Sequence, residues 1–458
     1  MSRSSSIELK KQLSRLITVI VLAGLAYGIL YIHSLLPIIT GYPAKYLCSA
    51  VFVSNRQQAE VEALDLHFSF IKYTKNVVNL QDSSVTSSFL WGESKAIYRK
   101  GYGATLVRDI DETDLRKIKL PKLAAPAYNQ DTIAWPMGNV MPDTITNIDK
   151  VRLDEITEKL MDEEGYNGHA FAFMVVHKGI PVVESYQPAF NSKTRFLSWS
   201  MAKSFTNSLA GILVKDGKLD INRPTDIPEW QNDDRKNITF NNLMQMQSGL
   251  SWNEDYGNRS DVTVMLYCEN DFARFTLNQP LGFPVGSKWY YSSGSVNIVN
   301  HLMRKVINDD NKYYQFAQSR LFNKIGIPDA VFELDPAGNQ VGSSYIYATA
   351  RDYARYALLN LQDGVFNGER ILPEGWLKYS TTPASDSKGE YGSLFWLNKS
   401  NKYPSAPDDM YSCNGHDGQQ IFMIPSKELI VVILGYSPKP DHVMNFDVLL
   451  GDILEAVQ

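Results

Sequence analysis

The longest unbroken hydrophobic stretch in the chain stands near its start. From Leu16 to Ile32 every residue is apolar or small except Thr18, Tyr27 and Tyr31; His33 and Ser34 interrupt the run, and Leu35 to Ile39 resumes it. A helix of that length is long enough to cross a bilayer, and the run is longer than the ~7–15 apolar residues of a cleaved signal peptide. Arg3, Lys10, Lys11 and Arg15 precede it, which by the positive-inside rule keeps the N-terminus in the cytoplasm and puts everything from Gly41 onward outside. Cys48 follows Lys45-Tyr46-Leu47, without the small residue a lipoprotein cleavage site wants beside its cysteine. The pattern predicts a cytoplasmic segment 1–12, an uncleaved transmembrane signal-anchor at 13–39, and a main body that is membrane-anchored and periplasmic or extracellular.

Beyond the anchor the pattern changes. Residues 40–148 read as a mixed N-terminal extension, with a strand pair in SSFLWGESKAIYRKGYGATLV and a linker or strap around Pro121, Pro126 and Pro136. A helix from Asp149 opens the main domain, 149–458, followed by strands at Ala170–His177 and Pro181–Tyr186. Met201, Phe205, Leu209, Ile212 and Leu213 then form a helical stripe closed by Asp216-Gly217. Residues 224–375 read mainly as helix. Gly418 to Pro425 and the continuous apolar run Leu429 to Leu434 read as two late strands, with a helix at the C-terminus.

Composition narrows the function classes. The 458 residues carry a net charge of −5, with 21% charged side chains of mixed sign, so no basic patch argues for nucleic acid. Length predicts two or three units, one with a sizeable core. Three cysteines, Cys48, Cys268 and Cys413, make no disulfide framework; a Cys268–Cys413 bridge is allowed outside the cell but not required. There is no zinc-type spacing and no phosphate loop. RDIDETD (108–114) lacks the glycine and distal glutamate of a calcium loop and reads as a solvated turn. The absence of Gly-x-Ser-x-Gly argues against an α/β-hydrolase.

The chemistry concentrates at Ser200-Met-Ala-Lys203. Positions i and i+3 share one helix face, so the lysine can aim its amine at the serine hydroxyl, and a buried lysine of lowered pKa can activate a serine as nucleophile. The helix start also favours negative charge, such as an oxyanion forming on a carbonyl. A second copy, Ser385-Asp-Ser-Lys388, lies in a polar stretch with no apolar stripe to hold it rigid and is rejected. Two later segments fall in order behind the first: Tyr291-Ser292-Ser293-Gly294 before a helical run, and His416-Asp417-Gly418 at the mouth of the late strand pair.

That ordered trio, with KDGKLDINRPTDI, ITFNNLMQMQSGLSW and YIYATARDYARYALLNLQDGVFNGERILPEGW, resembles the serine β-lactamase and penicillin-binding-protein superfamily. Within it the chain is most similar to class C-like esterases and the 6-aminohexanoate-dimer hydrolase branch. The resemblance covers about Tyr166 to the C-terminus. It implies an α/β (α+β) fold, an antiparallel sheet flanked by helices, with the 224–375 segment as a mainly helical insert. It implies Ser200 as the acylated nucleophile, Lys203 as its base partner and Tyr291 as the second proton-handling group. The oxyanion hole would be the backbone N–H groups of Ser200 and Gln419, with Ser293, His416 and Gly418 lining the substrate site.

Two positions depart from the family pattern. Ser293 stands where many members have the longer asparagine, and His416 stands where β-lactamases and transpeptidases have a lysine that holds a substrate carboxylate. The second change counts against antibiotic hydrolysis and points to small amide or ester substrates. Trp289, Tyr290 and Tyr291, with Trp199 beside the nucleophile, could wall an apolar acyl pocket or simply pack the core. A D,D-peptidase acting on cell-wall peptides and a non-catalytic penicillin-binding-like sensor are the rival readings. No metal or organic cofactor is implied, and nothing in the sequence bears on oligomeric state.

Overall fold

The computed structural model describes residues 3–142, 148–162, 165–168, 170–435 and 444–457. Its first element is a single α-helix, Arg3–Phe52, that passes without a break through Pro37 and Pro43. The helix has two halves. Apolar residues from Leu9 to Ile32 are exposed, whereas Leu36, Ala44, Leu47, Cys48 and Ala50 are buried. The exposed half is long and apolar enough to cross a membrane. A helix end was expected at 39; instead the same helix enters the folded body, because Leu36 to Val53 carries a second apolar face that needs a partner.

That partner is an antiparallel meander of four strands, Lys75–Asn79, Ser84–Phe89, Gly92–Arg99 and Gly103–Leu106, where the sequence indicated only a pair. Strand Lys75–Asn79 was missed because its exposed and half-buried positions dilute the apolar alternation. A buried carboxylate helps to fasten the extension to the main domain. Glu333 accepts from Lys45 Nζ, from Ser49 Oγ at 2.7 Å and from the Ala104 backbone N–H at 2.7 Å. A Cβ at Gly103 (φ +67°) would run into the Glu333 side chain, so only glycine lets the strand come this close. The segment after the meander lies on the main domain as a strap. Arg355 donates to the carbonyls of Pro136 and Gly138, and Tyr128 Oη donates to Asn323 O.

The main domain is built on a six-stranded antiparallel sheet in the order Trp396–Leu397, Tyr411–Asn414, Gln420–Ile424, Leu429–Gly435, Ala170–His177, Ile180–Tyr186. The first and last stretches of the domain thus meet at the sheet centre, where Val431 pairs with Val175. Alternation along Ala170–His177 sends Phe173 and Val175 to one layer, with Leu153, Ile156 and Leu450 of helices Lys150–Met161 and Phe446–Ala456. Met174 and Val176 face the other layer, with Phe205 and Tyr353 of helices Ala202–Lys215 and Ala350–Leu361. Between Thr225 and Gly375 the chain is mainly helical. It also carries Val331–Phe332 and Ile346–Ala348, which join Phe196–Leu197 in a small sheet; runs of two or three residues are too short to show a period of two. All three cysteines are free thiols, so the Cys268–Cys413 bridge does not form. The 108–114 segment is not a free turn: Arg108 donates to Tyr267 O and Pro37 O, and Glu112–Lys117 is helical.

Candidate active site

Ser200 stands in a single 3₁₀ turn, Trp199–Met201, immediately ahead of the helix Ala202–Lys215. The sequence placed it at the helix start itself; the tighter turn arises because Trp199 takes a left-handed conformation, φ +45°. That is a costly backbone for a bulky residue, and aromatic packing holds it. The Trp199 ring stacks on Tyr42 (centroids 6.0 Å) and Tyr46 (6.3 Å) of the N-terminal helix and meets His416 edge-on at 5.6 Å. The helix that follows is buried on all sides from Ala202 to Leu213, not on one stripe.

Lys203 is 1% exposed. Its Nζ lies 2.9 Å from Ser200 Oγ, 3.0 Å from Ser293 Oγ and 2.9 Å from Ser343 O. Burial lowers its pKa to about 8, against the opposing pull of the Glu254 charge. The Tyr291 phenol interacts with Ser200, and its ring centroid is 4.9 Å from Lys203 Nζ. Burial first, then Glu254, push the Tyr291 phenol well above its usual range, so at neutral pH it carries its proton.

Ser293 opens the helix Ser293–Ile307, which is capped by Ser292 accepting from Ser295 N. Its short side chain was expected to lack reach. The helix start brings it to Lys203 all the same, and its backbone N–H and hydroxyl both donate to Glu254. Glu254 also receives hydrogen bonds from Trp252 Nε1 and from Tyr256 Oη, the latter at 3.1 Å. These two residues, Glu254 and Tyr256, escaped the sequence reading although they directly follow the matched SGLSW stretch. An acidic and an aromatic residue in a Trp-Asn-Glu-Asp-Tyr loop look like surface, and only the fold turns them inward.

His416-Asp417-Gly418 forms a 3₁₀ turn between strands Tyr411–Asn414 and Gln420–Ile424. Gly418 is at φ +81°. A Cβ on Gly415 would fall 2.3 Å from Ser198 O, so this loop lies directly against the nucleophile turn. His416 is half exposed, stacked on the Tyr256 ring at 5.4 Å and 3.1 Å from Asp417 Oδ1. Burial raises the Asp417 pKa to about 6; the His416 charge opposes this and Asp65 adds to it. Gln419 is buried, and among the described residues its N–H makes only a long 3.5 Å contact with His416 O. On the other side of Ser200, Tyr291 sits among Trp396 (5.4 Å) and Tyr391 (5.8 Å), with Trp289 next to both. Tyr290 is 41% exposed. Ser385 and Lys388 are both exposed on a loop.

The structure thus joins Ser200, Lys203 and Ser293 by hydrogen bonds, with the Tyr291 ring packed on Lys203 and the 416–419 turn alongside. The hydrogen-bond inventory of Lys203 says what this cluster can do. Ser343 O can only accept, and the Ser293 hydroxyl proton is committed to Glu254. A neutral amine has two N–H groups and one lone pair; the N–H groups satisfy Ser293 and Ser343, which leaves the lone pair for Ser200. The arrangement can deprotonate Ser200 while the Tyr291 phenol stands ready to give a proton.

Residues 153–452 match the β-lactamase family model, and the chain belongs to that family; it is a serine hydrolase. Among curated proteins, 6-aminohexanoate-dimer hydrolase of Paenarthrobacter ureafaciens is 23% identical over 342 residues, covering 67% of this chain and 84% of that one. Among solved structures, a Bacillus anthracis protein ascribed to the 6-aminohexanoate-dimer hydrolases superimposes with TM-score 0.58 at 21% identity, covering 72% of this chain and 90% of that one. A family VIII carboxylesterase gives TM-score 0.55 at 16% identity, covering 69% and 98%. A penicillin-binding protein from Bacillus halodurans gives 0.51 at 17%, covering 67% and 100%.

Proposed function

We propose that this protein is a membrane-anchored serine hydrolase that cleaves an amide or ester bond of a small molecule through an acyl-enzyme on Ser200. The observation that carries the reading is the saturation of Lys203. Charged, the amine donates to Ser200, Ser293 and Ser343; once it loses a proton, N–H groups on Ser293 and Ser343 leave the lone pair facing Ser200, and burial holds its pKa at about 8, within reach of physiological pH.

In the forward step Ser200 Oγ adds to the substrate carbonyl as Lys203 takes its proton. The oxyanion is held by the N–H groups of Ser200 and Gln419. Tyr291 passes a proton to the leaving amine or alcohol and regains one through Lys203. Water then enters by the reverse relay and releases the acid. Ser293 fixes the lysine and Glu254 fixes Ser293. Gly418 shapes the oxyanion loop, and His416 with Tyr256 covers the substrate. The 224–375 segment acts as the helical insert that bounds the pocket. The exposed apolar half of the first helix is the anchor, with residues 1–12 in the cytoplasm and the catalytic domain outside. The name of the Paenarthrobacter relative suggests short linear amides as the first substrates to try. His416 in the place of a lysine disfavours the cell-wall peptidase reading.

The test is turnover by the full chain in detergent, with short-chain p-nitrophenyl esters, linear ω-amino-acid dimers and a penicillin as substrates. Ester or amide turnover that is lost in Ser200→Ala and lowered about 10²–10⁴-fold in Lys203→Ala, with no stable penicilloyl adduct, is the expected result. A long-lived penicilloyl adduct without turnover of the others would overturn it in favour of a sensor.

A further inference from the structure

The N-terminal helix and the meander run side by side. Leu36 lies against Gly92, where an added Cβ would come within 2.6 Å of it. Thr40 Oγ1 meets Ser94 Oγ at 2.5 Å, Cys48 Sγ reaches Ala96 O, and the Phe52 ring stacks on Tyr98. Helix 36–52 and strand 92–99 each cover roughly 23–24 Å at ~1.5 and ~3.3 Å per residue, so the two stay level along their length. The hairpin tip between Phe89 and Gly92 is therefore level with the place where the helix changes from exposed (Ile32, 39%) to buried (Leu36, 2%). Trp91 Nε1 donates to His33 Nδ1 at 3.2 Å and ties the tip to that point.

The two tip residues are Leu90 and Trp91. A two-residue hairpin turn selects Asn, Asp or Gly, because its first residue needs positive φ. Here Leu90 takes φ +53° and is 64% exposed, and Trp91 is 54% exposed. Neither turn geometry nor solvation explains this choice. Phe70 (58% exposed) packs near Phe89 at 6.4 Å, and Tyr73 (64%) precedes Lys75, which pairs with Ser88 at the same end of the sheet. Lys72 and Lys75 are exposed among these rings. An exposed Trp, Tyr, Phe and Leu at the level where an apolar helix leaves the protein has the composition of a bilayer interface.

We infer that the tip Leu90-Trp91, with Phe70 and Tyr73, is a docking surface that sits in the headgroup region of the phospholipid bilayer around the exit of the N-terminal helix. The inference rests on the anchor reading above. It makes the helix and the hairpin two legs of one support, so the main body does not swing on its anchor. Tyr42 and Tyr46, which stack on Trp199 beside the nucleophile, lie 9 and 13 residues beyond His33. At ~1.5 Å per residue the reaction centre is held ~14–20 Å above the exit point.

The test uses the full chain in phospholipid vesicles, in a Cys268→Ser background, with an environment-sensitive fluorophore on one new cysteine at a time. The positions are Leu90→Cys at the tip, Leu80→Cys at the far end of the same sheet (72% exposed) and Val21→Cys in the helix. The expected result is blue-shifted emission at 90 that is quenched by lipids spin-labelled near the headgroup, quenching at 21 by lipids labelled deep in the chain, and aqueous, unquenched emission at 80. Aqueous emission at 90 with a lipid-quenched label at 21 would overturn the docking surface and leave the anchor standing. A blue shift at 90 without lipid quenching would mean the tip is covered by protein and also overturns it. Aqueous emission at 21 would overturn the anchor and the docking surface together.

Discussion

If Lys203 is the base, the rate must follow its free amine. With its pKa lowered from 10.5 to about 8, roughly one molecule in eleven carries the neutral amine at pH 7 and nearly all do at pH 9.5; kcat/KM should rise about tenfold between those limits. At the ordinary lysine value only about one in 3,000 would be neutral at pH 7, so burial enriches the reactive form by about 300-fold. The shift corresponds to about 3 kcal/mol of folding free energy at ~1.4 kcal/mol per unit. Because the folded pKa lies below the unfolded one, the unfolded chain binds the extra proton between pH 8 and 10.5. The penalty is therefore present in full below pH 8 and is relieved as pH rises through that window. The assay is initial-rate kinetics on an amide or ester from pH 6 to 10, with Ser200→Ala subtracted as the blank. Tyr291 stays protonated across this range, so the inflection reports the lysine side of the coupled pair. Glu254→Gln removes the charge that opposes the shift and should move the inflection to lower pH. In parallel, the melting temperature of wild type minus that of Lys203→Met should be flat below pH 8 and climb between 8 and 10.5. A kcat/KM that is level from pH 7 to 9.5, or an inflection near 10.5, would refute the reasoning.

Other outcomes follow from single contacts. Ser293→Ala removes a partner of Lys203 and unseats Glu254; a hydrogen bond to a charged group is worth ~1.5–3 kcal/mol, so kcat/KM should fall about 10–100-fold with KM little changed. Glu333→Ala leaves Lys45 as a buried, unpaired cation and should destabilise the full chain by ~3–5 kcal/mol, read as a lowered thermal midpoint in detergent, whereas truncating before residue 9 should not. Asp417, raised to about 6 from 3.8 by burial, binds its proton more tightly when folded. Its contribution to stability therefore falls as pH rises from about 4 to 6, and Asp417→Asn should remove that decline from the melting curve.

How far the sequence could be read depended on how local each signal was. Ala170–His177 and Leu429–Gly435 are strands because eight and seven consecutive apolar-dominated residues permit little else; that they pair side by side appears only in the fold. Ser200 and Lys203 could be paired because their spacing is local, and the structure sets them 2.9 Å apart; Tyr291, far along the chain, was named only through the family resemblance. Glu254, Tyr256 and Ser343 were not, since their proximity to Lys203 exists only after distant segments pack. The helix 3–52 was cut short at 39 because hydropathy falls where lysine and tyrosines enter, although Lys45 is buried against Glu333 and Tyr42 and Tyr46 against Trp199. A truncated protein starting at 41 would lose Leu36 and Thr40, both buried; one that keeps the folded body must begin before His33.

Whether Ser200 is the acylated nucleophile is decided by intact-mass spectrometry of the detergent-solubilised full chain after exposure to a fluorophosphonate, followed by peptide mapping. One adduct per chain is expected, carried on the peptide containing Ser200 and absent from Ser200→Ala, with Ser385→Ala labelled like wild type. An adduct that survives Ser200→Ala, or that maps to Ser385, would contradict it.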